Sequence, residues 1–360
     1  MKFNDIKIIA LFLLCSCSEQ HDLIRLNGEA QGSTYHITYI DPKGRHLDHE
    51  IDSIFNTIDA SLSTYLSSSL LSRFNKCEAV SLIDEHIKKV YLKSSAIFEQ
   101  SEGAFDPTVM PLVKYWGFAG NNINPPDTVS KKTVDSILKY VGFKHVRMAC
   151  RSGEQIKSFV DNDQPQCDGQ YVLIKDNPNV AIDFNAIAQG YTVDVISEFI
   201  MRKNIKNFLV EVGGEVRAQG KNKKNIPWRI GIDKPLEQQD GDRPLQAILN
   251  LDYGAVATSG NYRKYYVKDG IKYAHTLDPF TGNPVQHSLL SATVFSKDCI
   301  TADGWATAFM VIGMEKSKSV LKTHSELQAF LVYSTKEGLI RTWSSSGIKK
   351  MLESVADKEE

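Results

Sequence analysis

The sequence predicts an α+β fold, a single domain with a largely antiparallel sheet core flanked by helices. Apolar and polar residues alternate in successive segments after Asn207, and this period of two is typical of antiparallel strands. Helical periodicity instead dominates the stretch from Leu47 to Phe98. Strands and helices do not alternate strictly, so the pattern disfavours a parallel βαβ architecture.

The composition is that of a globular protein with little net charge. The chain has 360 residues, of which 42% are hydrophobic, so it can bury a substantial core. Lysine and arginine total 42 against 43 aspartates and glutamates, which leaves no basic field to bind a phosphate backbone. We therefore expect no nucleic-acid partner. Neither an internal repeat nor a linker divides the chain, so residues 25–360 are predicted to form one domain.

The N-terminus has the pattern of an export signal followed by a lipidation site. Residues 8–14 are apolar but too few to span a bilayer. They run into Leu14-Cys-Ser-Cys17, which resembles a bacterial lipobox. This predicts a lipoprotein signal peptide over residues 1–16, palmitate-type lipidation at Cys17 and a tether over residues 17–24. The alternative is an ordinary signal peptide that is cut elsewhere.

The lipobox also predicts where the protein resides. We expect an extracytoplasmic protein, anchored by its lipid to a bacterial membrane at the periplasmic face of the inner membrane. An exported protein permits disulfides. Cys150 and Cys167 bracket a polar stretch, and we expect these two to pair. None of the cysteine spacings resembles a zinc site.

The elements before residue 207 are predicted from apolar spacing and from turn residues. A hydroxyl-rich stretch, residues 63–75, is interpreted as a solvated loop. The remaining predictions are a strand within residues 26–40, helices over 47–62 and 83–98, a loop over 120–130, a short helix over 134–141, short strands over 144–178, and a strand leading into a helix over 180–200.

The elements after residue 207 are mostly strands. Lys268-Asp-Gly270 is a strong hairpin signal. The predicted strands cover residues 208–212, 213–218, 228–232, 245–251, 328–333 and 338–343, and helices are expected over 301–309, near 315–324 and in the tail.

Asp303 and Thr307 are four residues apart in a segment with helical periodicity. Their side chains would lie on one helix face, and a carboxylate with a hydroxyl is a hard-oxygen set that Mg²⁺ accepts. The alternative is structural: an acidic residue stabilised by the helix dipole and a threonine that bonds its own backbone. The pair alone favours this alternative.

His275 follows the predicted hairpin, and Asp278 lies three residues further on. A histidine near an aspartate can act as a general base on a hydroxyl nucleophile. A structural histidine is the alternative, because this spacing puts the two side chains on opposite strand faces unless Pro279 bends the chain.

Two stretches of small residues are candidates for close approach to a phosphate. Thr258–Asn261 offers backbone and hydroxyl donors, and residues 180–191 form a strand-to-helix turn. Both stretches can equally be simple turns. Rossmann and P-loop glycine spacings are absent from the sequence, as are the motifs of serine hydrolases, zincins and thioredoxins.

Eight segments, in this order, resemble the FAD:protein FMN transferase (ApbE) family over nearly the whole mature chain. Each is a weak signal alone, and the order makes the resemblance specific. The segments are Ser63–Tyr65 with Ser69–Asn75, Gly103–Thr108, Trp116–Phe118, Asp183–Tyr191, Gly213–Glu215, Ala257–Tyr262, His275–Gly282, and Ala302 to Thr307.

The resemblance implies an ApbE-like, T-fold-related domain and a specific activity. Members split FAD with Mg²⁺, release AMP and attach FMN through a phosphoester to a Thr or Ser of a partner. The implied partners are FAD, flavin-carrying subunits of ion-translocating redox complexes, and related exported flavoproteins. A Mg²⁺-dependent FAD pyrophosphatase and a non-catalytic flavin-binding lipoprotein are the alternative functions.

The resemblance also implies roles for individual residues. Asp303 and Thr307 would bind Mg²⁺ together with the carbonyl of Ala186, and His275 would be the base, with Asp278 orienting the site or contributing to the metal shell. FAD would contact Tyr65, Phe105, Asp106, Glu215, Gln189 and Thr258, Ser259, Gly260 and Asn261. Position 189 departs from the family pattern, because many members carry Lys there and Gln brings no charge.

Overall fold

An eight-stranded antiparallel sheet forms the centre of the computed structural model. The structure describes residues 22–77, 79–120, 123–153, 155–158, 167, 169–235, 244–262, 264–268 and 270–353. These residues form the predicted α+β domain. The predicted signal peptide and Cys17 lie outside the described residues.

The described residues form seventeen strands and eight α-helices. The helices are α1 Asp48–Leu62, α2 Leu70–Lys76, α3 Glu85–Gln100, α4 Met110–Tyr115, α5 Lys131–Ile137, α6 Ala188–Arg202, α7 Cys299–Thr323 and α8 Ser346–Lys349. The strands are β1 Asp22–Ala30, β2 Ser33–Asp41, β3 Val80–Leu82, β4 Val146–Ser152, β5 Gln155–Ser158, β6 Gln170–Lys175, β7 Asn207–Val212, β8 Glu215–Gln219, β9 Trp228–Asp233, β10 Leu245–Leu251, β11 Tyr253–Gly260, β12 Tyr265–Lys268, β13 Ile271–Ala274, β14 Leu289–Ser296, β15 Gln328–Ser334, β16 Ile340–Ser344 and β17 Leu352–Glu353.

The central sheet has the order β1-β2-β7-β8-β11-β14-β15-β16. Every neighbouring pair is antiparallel, as the period of two predicted. Helices α6 and α7 pack against each other and against strands of this sheet. Two apolar clusters lie between these elements, one with Trp305 and Phe309 and the other with Phe208. None of the helices among the described residues is long and apolar enough to cross a membrane.

The start of the domain differs from the prediction. Residues 26–40 form a hairpin rather than one strand, because the chain turns at Gln31 and Gly32, both with positive φ. Strand β1 begins at Asp22, inside the predicted tether. Its pairing with β2 extends the sheet up to that residue.

A second, four-stranded sheet has the order β3-β6-β4-β5. Cys150 of β4 is bonded to Cys167, and their Cα atoms are 5.5 Å apart. The predicted disulfide is therefore confirmed. Cys77 and the buried Cys299 are free thiols.

Two local predictions are wrong. Residues 180–187 lie outside any strand. Residues 70–76 of the expected solvated loop form α2, and Ser69 caps this helix while Ser72 is buried. The two helices expected around residues 301–324 are confirmed within α7, because Gly313 (φ 74°) breaks the helical conformation between them.

Candidate active site

A cleft of about 560 Å³ opens where β11, the β12–β13 hairpin and α7 face the start of α6 and several irregular segments. All but two of the residues predicted to bind flavin, bind metal or act as catalysts line this cleft. They are Tyr65, Phe105, Asp106, Ala186, Gln189, Glu215, Thr258, Ser259, Gly260, His275, Asp303 and Thr307. Segments that are up to about 240 positions apart in the sequence therefore converge on one site.

Asp278 and Asn261 are the two exceptions. Asp278 does not line the cleft, and its carboxylate accepts hydrogen bonds from the main chain of Phe280 and the hydroxyl of Thr281. The Asp278 carboxylate therefore organises the turn that follows His275, and a direct catalytic or metal-binding role for it stays a prediction. Asn261 Oδ1 accepts from Thr276 Oγ1 at 2.6 Å. Asn261 therefore lies outside the cleft lining and orients Thr276, which lines the cleft.

Asp303 lies where α6 and α7 come closest together. Its Oδ2 accepts from Gly190 N at 3.0 Å. A Cβ atom at position 190 would stand 2.6 Å from the Cys299 carbonyl oxygen and 2.7 Å from Asp303 Cβ, so only glycine permits this approach. Burial raises the pKa of Asp303 to about 7, and the nearby charge of Asp194 acts in the same direction.

The oxygens around Asp303 fit a Mg²⁺ ion. Gly190 N lies in the first turn of α6, where N–H groups have no partner within the helix, and it donates to Asp303. Ala186 lies just before this helix and lines the same cleft. Thr307 Oγ1 is 3.1 Å from Ser259 Oγ. The described residues contain no cluster of three His, Cys, Asp or Glu side chains that could hold a metal. One carboxylate, one hydroxyl and one carbonyl suit Mg²⁺, which keeps waters and substrate oxygens in its remaining positions.

The orientation of His275 leaves one of its ring nitrogens free to accept a proton. Its Nδ1 is 3.0 Å from the Lys264 carbonyl oxygen, and its main-chain N donates to the same oxygen at 3.1 Å. A carbonyl oxygen only accepts, so Nδ1 carries the proton and Nε2 keeps a lone pair. Burial, assisted by the Lys264 charge and opposed by the bond to the Lys264 carbonyl, lowers the pKa of His275 to about 4, so the ring is neutral at pH 7.

The Trp116–Phe118 segment packs against His275 and the turn that follows it. Trp116 Nε1 donates to the Gly282 carbonyl at 2.7 Å, and the Phe118 ring meets the His275 ring edge-on at a centroid distance of 6.5 Å. Gly117 has a φ of 76°, and a Cβ atom there would overlap the main chain of Asn124. The segment therefore packs against His275 and fixes the turn that follows it.

Hydroxyl groups organise the loop that presents Tyr65. The Ser63 carbonyl accepts from Ser69 Oγ at 2.5 Å and from Ser72 Oγ at 3.0 Å. Ser63 Oγ in turn accepts from the main-chain N of Tyr65 at 3.1 Å. Tyr65 is 54% exposed at the rim of the cleft, where an aromatic ring is available to pack against a planar ligand.

Asp106 begins a short 3₁₀ turn, Pro107–Val109, on the same side of the cleft. Its Oδ1 accepts from Thr108 N at 2.8 Å and from Thr108 Oγ1 at 2.6 Å. Burial raises the pKa of Asp106 to about 6. The Pro107 carbonyl accepts from Asp183 N at 2.7 Å, so this turn and the irregular stretch 180–187 are joined.

A partly buried asparagine, Asn75, and a buried lysine, Lys175, hold the main chain around residues 180–187 in place. Asn75 Nδ2 donates to the Ile182 carbonyl and Asn75 Oδ1 accepts from Ile182 N, both at 2.8 Å. Lys175 is 2% exposed, and its Nζ donates to the carbonyls of Asn75, Pro178 and Val180. Asn75 belongs to a recognised segment, whereas the sequence contains no signal that Lys175 would be buried.

The cleft is acidic. Among the described residues that line it, Lys264 is the one lysine or arginine. Six carboxylates share the lining, namely those of Asp59, Asp106, Asp183, Glu215, Asp233 and Asp303. An anionic ligand therefore needs cationic help to enter.

Comparisons with known proteins agree with this geometry. The model of the ApbE family matches residues 31–331. An FAD:protein FMN transferase of Vibrio cholerae serotype O1 is 33% identical, with 96% of this chain and 98% of that relative covered. An FAD:protein FMN transferase of Haemophilus influenzae is 34% identical, with 94% of each chain covered.

Two solved structures are also similar. The flavin transferase ApbE from Vibrio cholerae has a TM-score of 0.76 and 32% identity, with 92% of this chain and 99% of that chain covered. The apo flavinyl transferase ApbE of Pseudomonas stutzeri has a TM-score of 0.76 and 30% identity, with 92% and 97% covered. A family match over most of the chain and relatives above 30% identity lead to one conclusion: this chain belongs to the ApbE family.

Proposed function

We propose that this protein transfers FMN from FAD to a Thr or Ser hydroxyl of an acceptor flavoprotein and releases AMP in a Mg²⁺-dependent reaction. The observation that carries the proposal is the state of His275 in the cleft. Its Nδ1 proton is bound to the Lys264 carbonyl, so Nε2 is available to accept a proton. Asp303, Thr307 and Ala186 line the same cleft.

The reaction is a displacement at the phosphorus of the FMN half of FAD. The acceptor oxygen forms a new bond to phosphorus, and the bond from that phosphorus to the bridging oxygen breaks, so AMP leaves with the bonding electrons. The hydroxyl proton moves to His275 Nε2. The Lys264 carbonyl keeps the ring in the required tautomer throughout.

Asp303, Thr307 and the carbonyl of Ala186 would hold Mg²⁺. When bound, this ion neutralises charge on phosphate oxygens and orients the leaving group. The chain itself contributes a buried carboxylate whose pKa is raised to about 7 because little water solvates its charge. Six carboxylates in the cleft explain why FAD, with its charged diphosphate, would need a divalent cation.

The remaining cleft residues are proposed to bind FAD. Tyr65 at the rim and Phe105 offer aromatic surfaces, and the carboxylates of Asp106 and Glu215 can accept hydrogen bonds from ring or ribose groups. Gln189 and the stretch Thr258–Gly260 would donate hydrogen bonds near the phosphates.

The acceptors are proposed to be flavin-carrying subunits of ion-translocating redox complexes or related exported flavoproteins. The enzyme would work outside the cytoplasm, held at the membrane by lipid on Cys17. Cys17→Ser, expressed in a bacterial host, should release the protein from the membrane fraction and abolish incorporation of labelled palmitate. Retention of the label in this variant would contradict the anchor.

One incubation tests the activity. The mature protein is mixed with FAD, Mg²⁺ and a peptide that contains Asp-x-x-Ser/Thr-Gly-Ala-Ser/Thr. Covalent flavin on the peptide with one AMP for each flavin supports the transferase. AMP with free FMN alone would instead identify a pyrophosphatase, and intact FAD would identify a binding protein.

A variant pair tests the metal assignment. Asp303→Asn should remove the activity at every Mg²⁺ concentration, because the amide brings no negative charge. Asp298→Asn is the matched control, since Asp298 caps α7 through a bond from Thr301 N and Asn caps helices equally well. Full activity in Asp303→Asn would overturn the assignment.

A further inference from the structure

Lys264 is the one positive side chain among the described residues that line the cleft. It is placed directly before β12, across the hairpin from His275, and its carbonyl binds both Nδ1 and the main-chain N of that histidine. Its side chain is partly buried. Lys264 therefore shares the cleft with six carboxylates and lies next to His275, the proposed base.

The ammonium group of Lys264 is only partly used by the protein. Its Nζ donates to the Phe118 carbonyl at 3.1 Å. An ammonium group has three donors, and the other two bond no acceptor among the described residues. Donors of this kind, directed at a cleft, are suited to an anionic ligand.

The positive charge of Lys264 affects the pKa values of two residues that line the cleft. Burial lowers the pKa of His275 and the Lys264 charge acts in the same direction, whereas burial raises the pKa of Asp183 and the Lys264 charge opposes that rise. These two residues belong to separate segments that face each other across the site. Lys264 therefore acts on the space between the proposed base and residues 180–187.

We propose that Lys264 is the phosphate-binding cation of this enzyme and that it contacts the diphosphate oxygens of FAD. The inference rests on the proposed function and deepens it. His275 takes a proton from the oxygen that attacks phosphorus, so that phosphorus lies beside His275 and within the neighbourhood of Lys264. Gln189, which lines the same cleft, is neutral. Lys264 supplies the charge that this position lacks.

A binding series isolates the phosphate contact without relying on turnover. Dissociation constants for riboflavin, FMN, FAD and ADP are measured with wild-type protein and Lys264→Met. Loss of a charged hydrogen bond should weaken FAD and ADP binding roughly ten- to hundredfold and leave riboflavin binding unchanged. Equal weakening for riboflavin would overturn the proposal, because it would reveal a general change in the cleft.

Two further variants sharpen the test. Gln189→Lys combined with Lys264→Met should recover most of the lost FAD affinity, because a cation returns to the phosphate region. Lys268→Met is the matched control: Lys268 lies on the same hairpin and its Nζ donates to the Pro126 carbonyl at 2.6 Å, outside the cleft lining. FAD affinity should be unchanged in this control.

The remaining outcomes separate this inference from the proposed function. Unchanged FAD affinity in Lys264→Met, with a raised KM for the acceptor peptide, would show that Lys264 recognises an acidic residue of the acceptor instead. Wild-type protein that binds no FAD would overturn the proposed function as well. Wild-type transfer with unaltered FAD binding in Lys264→Met would overturn only the role of Lys264.

Discussion

The two walls of the cleft are built in different ways. The regular wall consists of β11, the β12–β13 hairpin with His275, and α7, whose main-chain bonds are those of a sheet and a helix. The clamped wall consists of residues 63–69, 104–109 and 180–187, which are irregular apart from one 3₁₀ turn. Side chains such as Asn75 and Lys175 hold its main chain.

The regular wall carries the proposed reacting groups, whereas the clamped wall determines the shape of the binding site. In the regular wall, backbone hydrogen bonds are satisfied without help from side chains, so a substitution there should change the reaction and spare the fold. In the clamped wall, residues that never touch a ligand determine where the binding groups lie. Substitutions behind that wall should therefore lower stability and FAD affinity together.

The largest expected effect is on the regular wall. His275→Asn keeps a donor near the position of Nδ1 but has no Nε2 base, so transfer should fall at least about 100-fold while FAD affinity and the melting temperature stay unchanged. The measurement is the rate of covalent flavinylation. His287→Asn is the control, because His287 contacts the Met310 carbonyl away from the cleft lining. Wild-type rates in His275→Asn would remove the base assignment.

The next effect is on the clamped wall. Lys175→Met fills the space but leaves the carbonyls of Asn75, Pro178 and Val180 without their donor. We expect a loss of about 3 kcal/mol in the free energy of unfolding and weaker FAD binding, measured by urea denaturation and by titration. Lys131→Met, at a side chain that is 88% exposed, should cost less than about 0.5 kcal/mol. If FAD affinity were unchanged in Lys175→Met, the main chain that Lys175 holds would not determine how well the cleft binds FAD.

A third substitution acts where α6 approaches Asp303. Gly190→Ala places a Cβ atom within 2.7 Å of Asp303 Cβ, so the helices must separate. The expected cost is about 1–3 kcal/mol, with a raised Mg²⁺ requirement because Asp303 and the Ala186 carbonyl are displaced from each other. A stability loss with an unaltered Mg²⁺ dependence would show that the metal ligands tolerate the shift.

The smallest expected effect on the reaction accompanies a gain in stability. Burial raises the pKa of Asp106 from 3.8 to about 6, so its charged form opposes folding and wild-type stability falls as the pH rises between these values. Asp106→Asn keeps an acceptor for Thr108 and has no charge. It should be more stable by about 3 kcal/mol above pH 6.5 and equal to wild type near pH 3.5, while binding FAD less well. Stability curves that stay parallel over this pH range would contradict the buried-charge explanation.

Much of the regular wall could be predicted from the sequence. A period of two indicated β7 to β10, a turn signal indicated the β12–β13 hairpin, and the spacing of Asp303 and Thr307 placed both on one helix face. Local patterns suffice in these segments because backbone bonding and apolar burial repeat with fixed periods. The bonds of Asp278 within its turn could not be predicted, because its distance from His275 along the chain does not show where its oxygens lie.

The clamped wall could be recognised by its family resemblance, but local sequence patterns do not predict its shape. The hydroxyl-rich stretch had the composition of a solvated loop, and only the structure shows that Ser69 and Ser72 bond the Ser63 carbonyl. A side chain that caps a main-chain group far away in the sequence leaves no periodic signal. The same is true of Lys175, whose acceptors become neighbours only after the chain has folded.

The sequence by itself determined the fold class, the order of most elements, the Cys150–Cys167 pair and the family resemblance. The tertiary structure decided which of those residues share one cleft, which nitrogen of His275 is free, and that six carboxylates face a single lysine among the described lining residues. The physical reason is the range of the forces involved. Periodicity and turn chemistry act between near neighbours along the chain, whereas protonation and ligand charge depend on groups that only folding brings together.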